Sequence, residues 1–457
     1  MKNAATLKIS ISGARGIIGD SLTPQLAATL AQAFGTYVGG GPVLVGRDAR
    51  ASGIMLAEAV VSGLLSVGCR PIDVGILPIP SFLFLTKATN AAGGIAVTAS
   101  HNPRQWNGLK FVSHRGLYLT PQQTEEFLDI YHQGAFDFIP AGKYKSVQVM
   151  SDAADAHLRR LLTRFDGSTI RRRRIRVVLD CNNGAGAVLA PRFLLELGCE
   201  VIPLYCEPNG EFAHDSEPTP ENISDVCAAV KSSKADVGFI QDADADRLAI
   251  VDERGRPLGE ELTLVWAASH VLRKTKGSIV CNLSSTRALD DLAARYGVKI
   301  FRTKIGEVNV VEKLLAAKPR AVIGGEGNGG VIDPEIHPCR DSFAAMGLVL
   351  EALAAGRKPV SSLVGALPRY VLLKDRIEGS AERAHRLIGV LKKRYENKGT
   401  ISLQDGLKVD FPDHWIHIRP SNTEPVIRVL AEAKTEARAR RALASLRDEI
   451  DMAWKKT

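Results

Sequence analysis

The chain has 457 residues, 45% hydrophobic and 24% charged, a balance that suits a folded protein with three or four cores and excludes a chiefly disordered one. No stretch approaches the roughly 18 to 20 uncharged apolar residues that cross a bilayer, and the amino terminus lacks the order of a signal peptide, so a cytoplasmic protein without a membrane partner is expected. The formal net charge of +9 fits a small anionic substrate, because the basic runs Arg171 to Arg174 and Arg438 to Arg441 lack the interleaved aromatics that stack bases and read as solvated faces rather than a nucleic-acid surface.

In chain order, Ser12-Gly13-Ala14-Arg15-Gly16 first puts an arginine in a glycine turn. A pattern then recurs three times: an apolar strand, a small-residue turn, an amphipathic helix, a glycine and a second apolar strand. It begins at Val43 to Val45 with a helix to Val67 and Gly68, at Ile175 to Asp180 with a helix near Val188 to Leu197 and Gly198, and at Ser278 to Cys281 with a helix near Arg287 to Tyr296 and Gly297. Glycine at each helix end takes the left-handed conformation without a side-chain penalty. The segment after about Pro368 breaks the pattern: a strand in YVLLKDRIE, a helix Ala381 to Tyr395, strands around 406–409, 415–419 and 426–432, then a terminal helix.

These elements predict an α/β protein: three tandem related α/β domains with mixed sheets and a smaller carboxy-terminal α+β domain around a central cleft. The expected boundaries are 1–150, 151–257, 258–368 and 369–457. The seven cysteines (69, 181, 199, 206, 227, 281 and 339) are scattered without CxxC spacing and are expected to be reduced, mostly buried small hydrophobes.

Four loops carry chemistry. Thr98-Ala99-Ser100-His101-Asn102-Pro103 follows an apolar strand, where open α/β sheets place reactive groups, and Lys110 follows shortly after; a bare turn is the alternative. Asp242-Ala243-Asp244-Ala245-Asp246-Arg247 sets three carboxylates at alternate positions. Their mutual repulsion calls for a cation, and hard oxygen ligands in a short loop suit Mg²⁺; a solvated acidic turn is the alternative. Gly324-Gly325-Glu326-Gly327-Asn328-Gly329-Gly330 offers one acid and one amide for sugar hydroxyls, without the ending of a nucleotide P-loop; otherwise it is a flexible surface loop. Arg419-Pro420-Ser421-Asn422-Thr423-Glu424-Pro425 gathers a guanidinium, hydroxyls and an amide suited to a phosphate, or forms an ordinary turn.

Together, in this order and spread over the whole chain, the four loops resemble those of the α-D-phosphohexomutase superfamily, and GEGNGG resembles the variant of its archaeal-type phosphoglucosamine mutases and related bifunctional phosphoglucomutase/phosphomannomutases. The resemblance implies that Ser100 is the phosphorylated residue, that Asp242, Asp244 and Asp246 hold Mg²⁺ together with the Ser100 phosphate, and that Arg15, Lys110, His101 and Arg247 surround the reacting group, with Lys110 the first candidate for general base. It implies sugar contacts at Glu326 and Asn328 and a phosphate grip at Arg419, Ser421, Asn422 and Thr423. The implied reaction interconverts hexose 6-phosphate and hexose 1-phosphate through a hexose 1,6-bisphosphate that also serves as activator. The lean is toward glucosamine phosphate, with a monomer or homodimer expected.

Many relatives read GExSGH where this chain reads GEGNGG, so Asn328 stands where Ser is common and Gly330 where His is common. His101, His337 or Glu307 are the candidates for the missing histidine's role. A Mg²⁺-dependent sugar phosphatase would have little use for the Arg419 loop, and a non-catalytic sugar-phosphate sensor would need neither Ser100 nor the acidic triplet.

Overall fold

The computed structural model describes residues 6–10, 13–421 and 426–454. Ser12, Asn422 and Thr423, singled out above, lie outside the described residues. The chain divides into two compact units, one made of residues 1–270 and 328–365, the other of residues 271–327 and 366–457.

The first unit holds two sheets. In the larger, seven strands run in the order Lys8–Ser10, Gly13–Ile17, Trp106–Ser113, Gly93–Val97, Gly41–Arg47, Cys69–Ile76 and Gln148–Val149. Gly93–Val97, Gly41–Arg47 and Cys69–Ile76 are parallel, whereas Trp106–Ser113 is antiparallel to both of its neighbours. The sheet is therefore mixed. The central strand Gly93–Val97 is buried on both faces, as its uninterrupted apolar run requires. Its core packs the helices Pro24–Tyr37 and Gly53–Ser66 through Leu30, Phe34, Leu56, Val60 and Leu64.

The smaller sheet has the order Leu248–Asp252, Val237–Gln241, Arg176–Asp180, Glu200–Leu204, with only the first strand antiparallel. The Asp242 to Arg247 loop is thus the connection of a β-hairpin, held at both ends by ladder bonds.

In the second unit, Ile300–Thr303, Ser278–Asn282 and Ala321–Glu326 are parallel neighbours. A separate antiparallel sheet has the order Val371–Glu378, Val426–Ala433, His414–Pro420, Leu407–Asp410, Thr400–Ser402. The helices Ala381–Tyr395 and Glu436–Trp454 bury Leu387, Leu391, Leu446 and Ile450 against it.

The three predicted repeats appear with their strands and helices in the predicted places. In the second, however, the helix is split into a 3₁₀ turn Ala185–Val188 and a helix Ala190–Glu196, since Pro191 supplies no backbone N–H and suits only a first turn. Gly68, Gly198 and Gly297 have φ of +81°, +81° and +63°, the left-handed helix ends that their positions predicted. The tail follows its predicted order, with one strand more, Thr400–Ser402. All seven cysteines are free, five of them buried. Among the described residues no helix is long and apolar enough to cross a membrane.

Candidate active site

Ser100 follows the buried strand Gly93–Val97 and adopts φ = +51°, an uncommon conformation for a residue with a side chain, costing about 1–3 kcal/mol unless its surroundings impose it. They do so through Arg50. Its buried guanidinium donates to the carbonyls of Ser100 (2.7 Å), Asn102 (2.6 Å), Pro103 (2.8 Å) and Trp106 (3.0 Å), while its Nε bonds Asp48 Oδ2 at 3.0 Å. Thr98 Oγ1 accepts the Ser100 N–H at 2.9 Å and donates to Asp48 Oδ2 at 2.7 Å. One arginine therefore closes the whole loop. Arg50 lies in the small-residue turn of the first repeat, and the signal there was a charged pair, Asp48 and Arg50, between two apolar elements.

The acidic triplet lies beside this loop. Ser100 Oγ donates to Asp242 Oδ2 at 3.3 Å, and Lys110 Nζ bonds Asp244 Oδ2 at 2.8 Å. Asp242 Oδ1 accepts the backbone N–H groups of Asp246 and Arg247, both at 3.1 Å, and Ala245 takes φ = +61°. The hairpin loop is thereby wound tightly enough to converge its side chains. The three carboxylates are buried, and each offers an oxygen within 4.8 Å of the others. At that spacing a pair of like charges costs about 3 kcal/mol at an effective dielectric of 20.

Burial, then the charges of Asp246 and Asp244, push the Asp242 carboxyl well above the ordinary range. Burial pushes Asp244 in the same direction, but the Lys110 ammonium together with Arg340 and Arg247 outweighs it and holds that carboxyl below its ordinary value. Asp244 Oδ1 and Asp246 Oδ1 have no hydrogen-bond partner among the described residues. Buried carboxylate oxygens left bare and converging are the donor set of a hard divalent cation, so these residues fit Mg²⁺.

Cations ring the site. Arg247 lies 3.8 Å from Asp242, 3.7 Å from Asp246 and 3.3 Å from Glu217, and its Nη2 donates to His101 Nδ1 at 3.1 Å. The Arg247 charge, then burial, then Arg15 hold the His101 pKa well below the ordinary histidine value, so the ring is neutral near pH 7. Arg15 donates to Asn102 Oδ1 at 3.3 Å. Arg340, unnoticed in the sequence, bonds Asp246 Oδ2 at 2.5 Å. In the first unit, then, Ser100, Asp242, Asp244, Asp246, Arg15, Lys110, His101 and Arg247 come together as one cluster.

The glycine-rich loop is divided between the units. Asn328 belongs to the first, where its Oδ1 accepts the Gly330 N–H at 3.2 Å. Glu326, in the second, is buried and accepts from Asn282 Nδ2 (2.8 Å) and the Gly306 N–H (2.9 Å). Arg419 lies near the end of the strand His414–Pro420 and Ser421 follows it, where the Ser421 N–H bonds the Val426 carbonyl at 2.8 Å. Arg419 Nε has no hydrogen-bond partner among the described residues.

His337 donates from Nε2 to the Gly116 carbonyl at 2.7 Å and packs edge-on against Phe84; burial lowers its pKa to about 4. One of its two ring nitrogens is thereby committed to the fold. Glu307 opens the helix Glu307–Ala316 of the second unit and is buried.

A chain with this fold and these four loops belongs to the phosphoglucomutase/phosphomannomutase family: the models of its α/β/α domains I, II and III match residues 7–137, 155–255 and 259–370, and that of its C-terminal domain matches residues 373–449. Among individual proteins it is 38% identical to the "Phosphoglucomutase/phosphomannomutase" of Thermococcus kodakarensis, over 94% of this chain and 95% of that one. It is 35% identical to the "Probable phosphoglucosamine mutase" of Methanopyrus kandleri, over 96% of each. The crystal structure of a phosphoglucomutase/phosphomannomutase family protein from Burkholderia thailandensis superposes with a TM-score of 0.83 at 30% identity, covering 98% of both chains.

Proposed function

We propose that this protein is a phosphohexomutase that interconverts hexose 6-phosphate and hexose 1-phosphate, glucosamine phosphates among them, through a phosphorylated Ser100. The observation that carries the reading is the bond from Ser100 Oγ to Asp242 of the buried triplet, in which Asp244 and Asp246 each keep a bare oxygen, with Lys110 on Asp244. A hydroxyl in that setting is suited to carrying a phosphoryl group, because phosphoryl transfer needs neutralised charge and in-line placement above all. Asp242, Asp244 and Asp246 would hold Mg²⁺ together with the Ser100 phosphate; bound there, the ion supplies charge neutralisation at the transferring oxygens.

The chain's own groups do the rest. Arg50 presents Ser100, Arg15 and Arg247 stabilise the equatorial oxygens, and Lys110, paired as an ammonium with Asp244, adds positive charge there instead of serving as the base first expected, while the proton of the attacking sugar hydroxyl passes to an oxygen of the transferring phosphoryl group. His101, held neutral by Arg247, is suited to hydrogen-bond the substrate. Glu326 and Asn328 orient the sugar, and Arg419, Ser421, Asn422 and Thr423 grip the phosphate that is not reacting. Transfer from Ser100 makes a hexose 1,6-bisphosphate. Its two phosphates are chemically alike, so it rebinds in the opposite sense and returns the other phosphate to Ser100.

The curated relatives carry both phosphoglucosamine mutase and phosphoglucomutase/phosphomannomutase names, which supports activity on more than one sugar. Asn328 and Glu326 do not obviously separate carbon-2 substituents, and strong rejection arises only where a buried polar group is left unpaired. The test compares glucose, mannose and glucosamine 1- and 6-phosphates side by side, with intact-mass analysis of Ser100 after treatment with glucose 1,6-bisphosphate. Turnover of several sugars, with glucosamine phosphate at least comparable to the best, is expected. Inert glucosamine phosphates would remove that substrate, and the absence of a phosphate on Ser100 would remove the covalent route.

A further inference from the structure

The space above Gly330 is already taken. A Cβ built on Gly330 would overlap Arg340 Cδ and lie 3.0 Å from Arg340 Cγ and from Asn328 Oδ1. The backbone of Gly330 is not left-handed, so the glycine is required by the neighbouring side chain and not by its own dihedrals. The Arg340 stem passes over this residue and brings a buried guanidinium to within 2.5 Å of Asp246 Oδ2.

There Arg340 meets a second cation. Arg247 lies 3.7 Å from the other oxygen of the same carboxylate, and Arg340 is also within electrostatic reach of Arg15, His101 and Asp244. The arginines 15, 247 and 340 with Lys110 are four cations facing the three carboxylates of the triplet and Glu217. Two guanidinium groups gathered on one carboxylate repel each other. A dianion shared between them turns the repulsion into attraction, and planar guanidinium forks suit phosphate oxygens.

We propose that Arg340 is a phosphate-binding cation of the active site, its stem admitted by the missing side chain of residue 330. The proposal rests on the mutase reading and adds to it one further cation for the phosphate.

The experiment uses the full chain and begins with a control: the wild type must turn over and take phosphate on Ser100, or the mutase reading itself fails. Arg340→Met is then titrated calorimetrically with Mn²⁺ alone and, separately, with glucose 1,6-bisphosphate. Loss of a cation that faces the site should tighten Mn²⁺ severalfold and weaken the bisphosphate by about tenfold or more, the size of a charge-assisted contact. A merely structural arginine would weaken both. Gly330→Ala should lower kcat on the order of tenfold in the wild type yet add little in an Arg340→Ala background, which lacks both the Cγ and the Cδ that a Cβ at 330 would meet. Guanidinium chloride at tens of millimolar should restore part of the Arg340→Met rate where methylammonium does not. Parallel weakening of both ligands, additive losses in the double variant, or no effect of Arg340→Met with the control satisfied would overturn the proposal.

Discussion

Around Ser100 the polar groups are tied down: Arg50 holds four carbonyls of the loop, Thr98 holds its N–H, and Lys110 and Arg340 hold the outer oxygens of Asp244 and Asp246. Around Arg419 the hairpin is closed by one backbone bond, from Ser421 to Val426, and the Arg419 guanidinium donates only to its neighbour's carbonyl, at 3.2 Å from Nη1, among the described residues. The contrast follows from what each region would do. A group that transfers phosphate gains from being preorganised, since placement and fixed charge are most of the catalysis. A loop that grips and releases a bisphosphate gains from a donor left unspent, as Arg419 Nε is among the described residues.

The comparison breaks most visibly at the serine. Ser100→Ala removes a single hydroxyl and no core contact, so turnover should fall by on the order of 10⁴-fold or more while the thermal midpoint barely moves. Full activity in that variant would end the covalent mechanism. Asp244→Asn, or chelation of the wild type, should cost on the order of 10²- to 10³-fold, with Mg²⁺ restoring only the chelated wild type; unaltered rates in excess chelator would make the triplet an acidic turn.

Arg50→Met sharpens the contrast, because it acts on the reacting loop without touching a reacting atom. It leaves Asp48 buried beside an empty place, which should destabilise the fold by about 3–5 kcal/mol, and it should lower kcat about 10²-fold through a loosened Ser100. Denaturant melts and steady-state kinetics would report the two losses together. Arg419→Ala should behave in the opposite way: KM for the sugar phosphate rises about 10- to 100-fold, kcat falls less, and stability stays within about 1 kcal/mol. A large stability loss there would mean that the arginine is structural.

The smallest effect is one of pH, and here the two regions agree. His337 in the first unit and His417 in the second are both lowered to about 4, chiefly by burial, while the unfolded chain protonates near 6.5. The unfolded state therefore binds the proton first, so the stability from a neutral native ring is complete above pH 6.5 and is lost as pH falls through 4. Each ring contributes at most about 3 kcal/mol. Melts at pH 7 and 4.5 should differ less in His337→Asn than in the wild type.

Periodicity and glycine position made most of the architecture legible. The three repeats were readable because a parallel strand, a turn, an amphipathic helix and a left-handed glycine recur at matching spacing, and each is a local property of the chain. The Ser100 loop, the Asp242 to Asp246 triplet and Arg419 were legible for a related reason: their chemistry is concentrated in a few consecutive residues. Arg50 and Arg340 were not. Each acts across a long separation, on carbonyls 50 and more positions away for Arg50 and on a carboxylate 94 positions away for Arg340, and no local pattern marks a single arginine for such a partner. His337 shows the converse, since its composition suggested chemistry and its surroundings commit it to a buried carbonyl. Local hydrogen bonding and hydrophobic period are written along the chain, whereas which charge meets which is settled when strands distant in sequence are brought edge to edge.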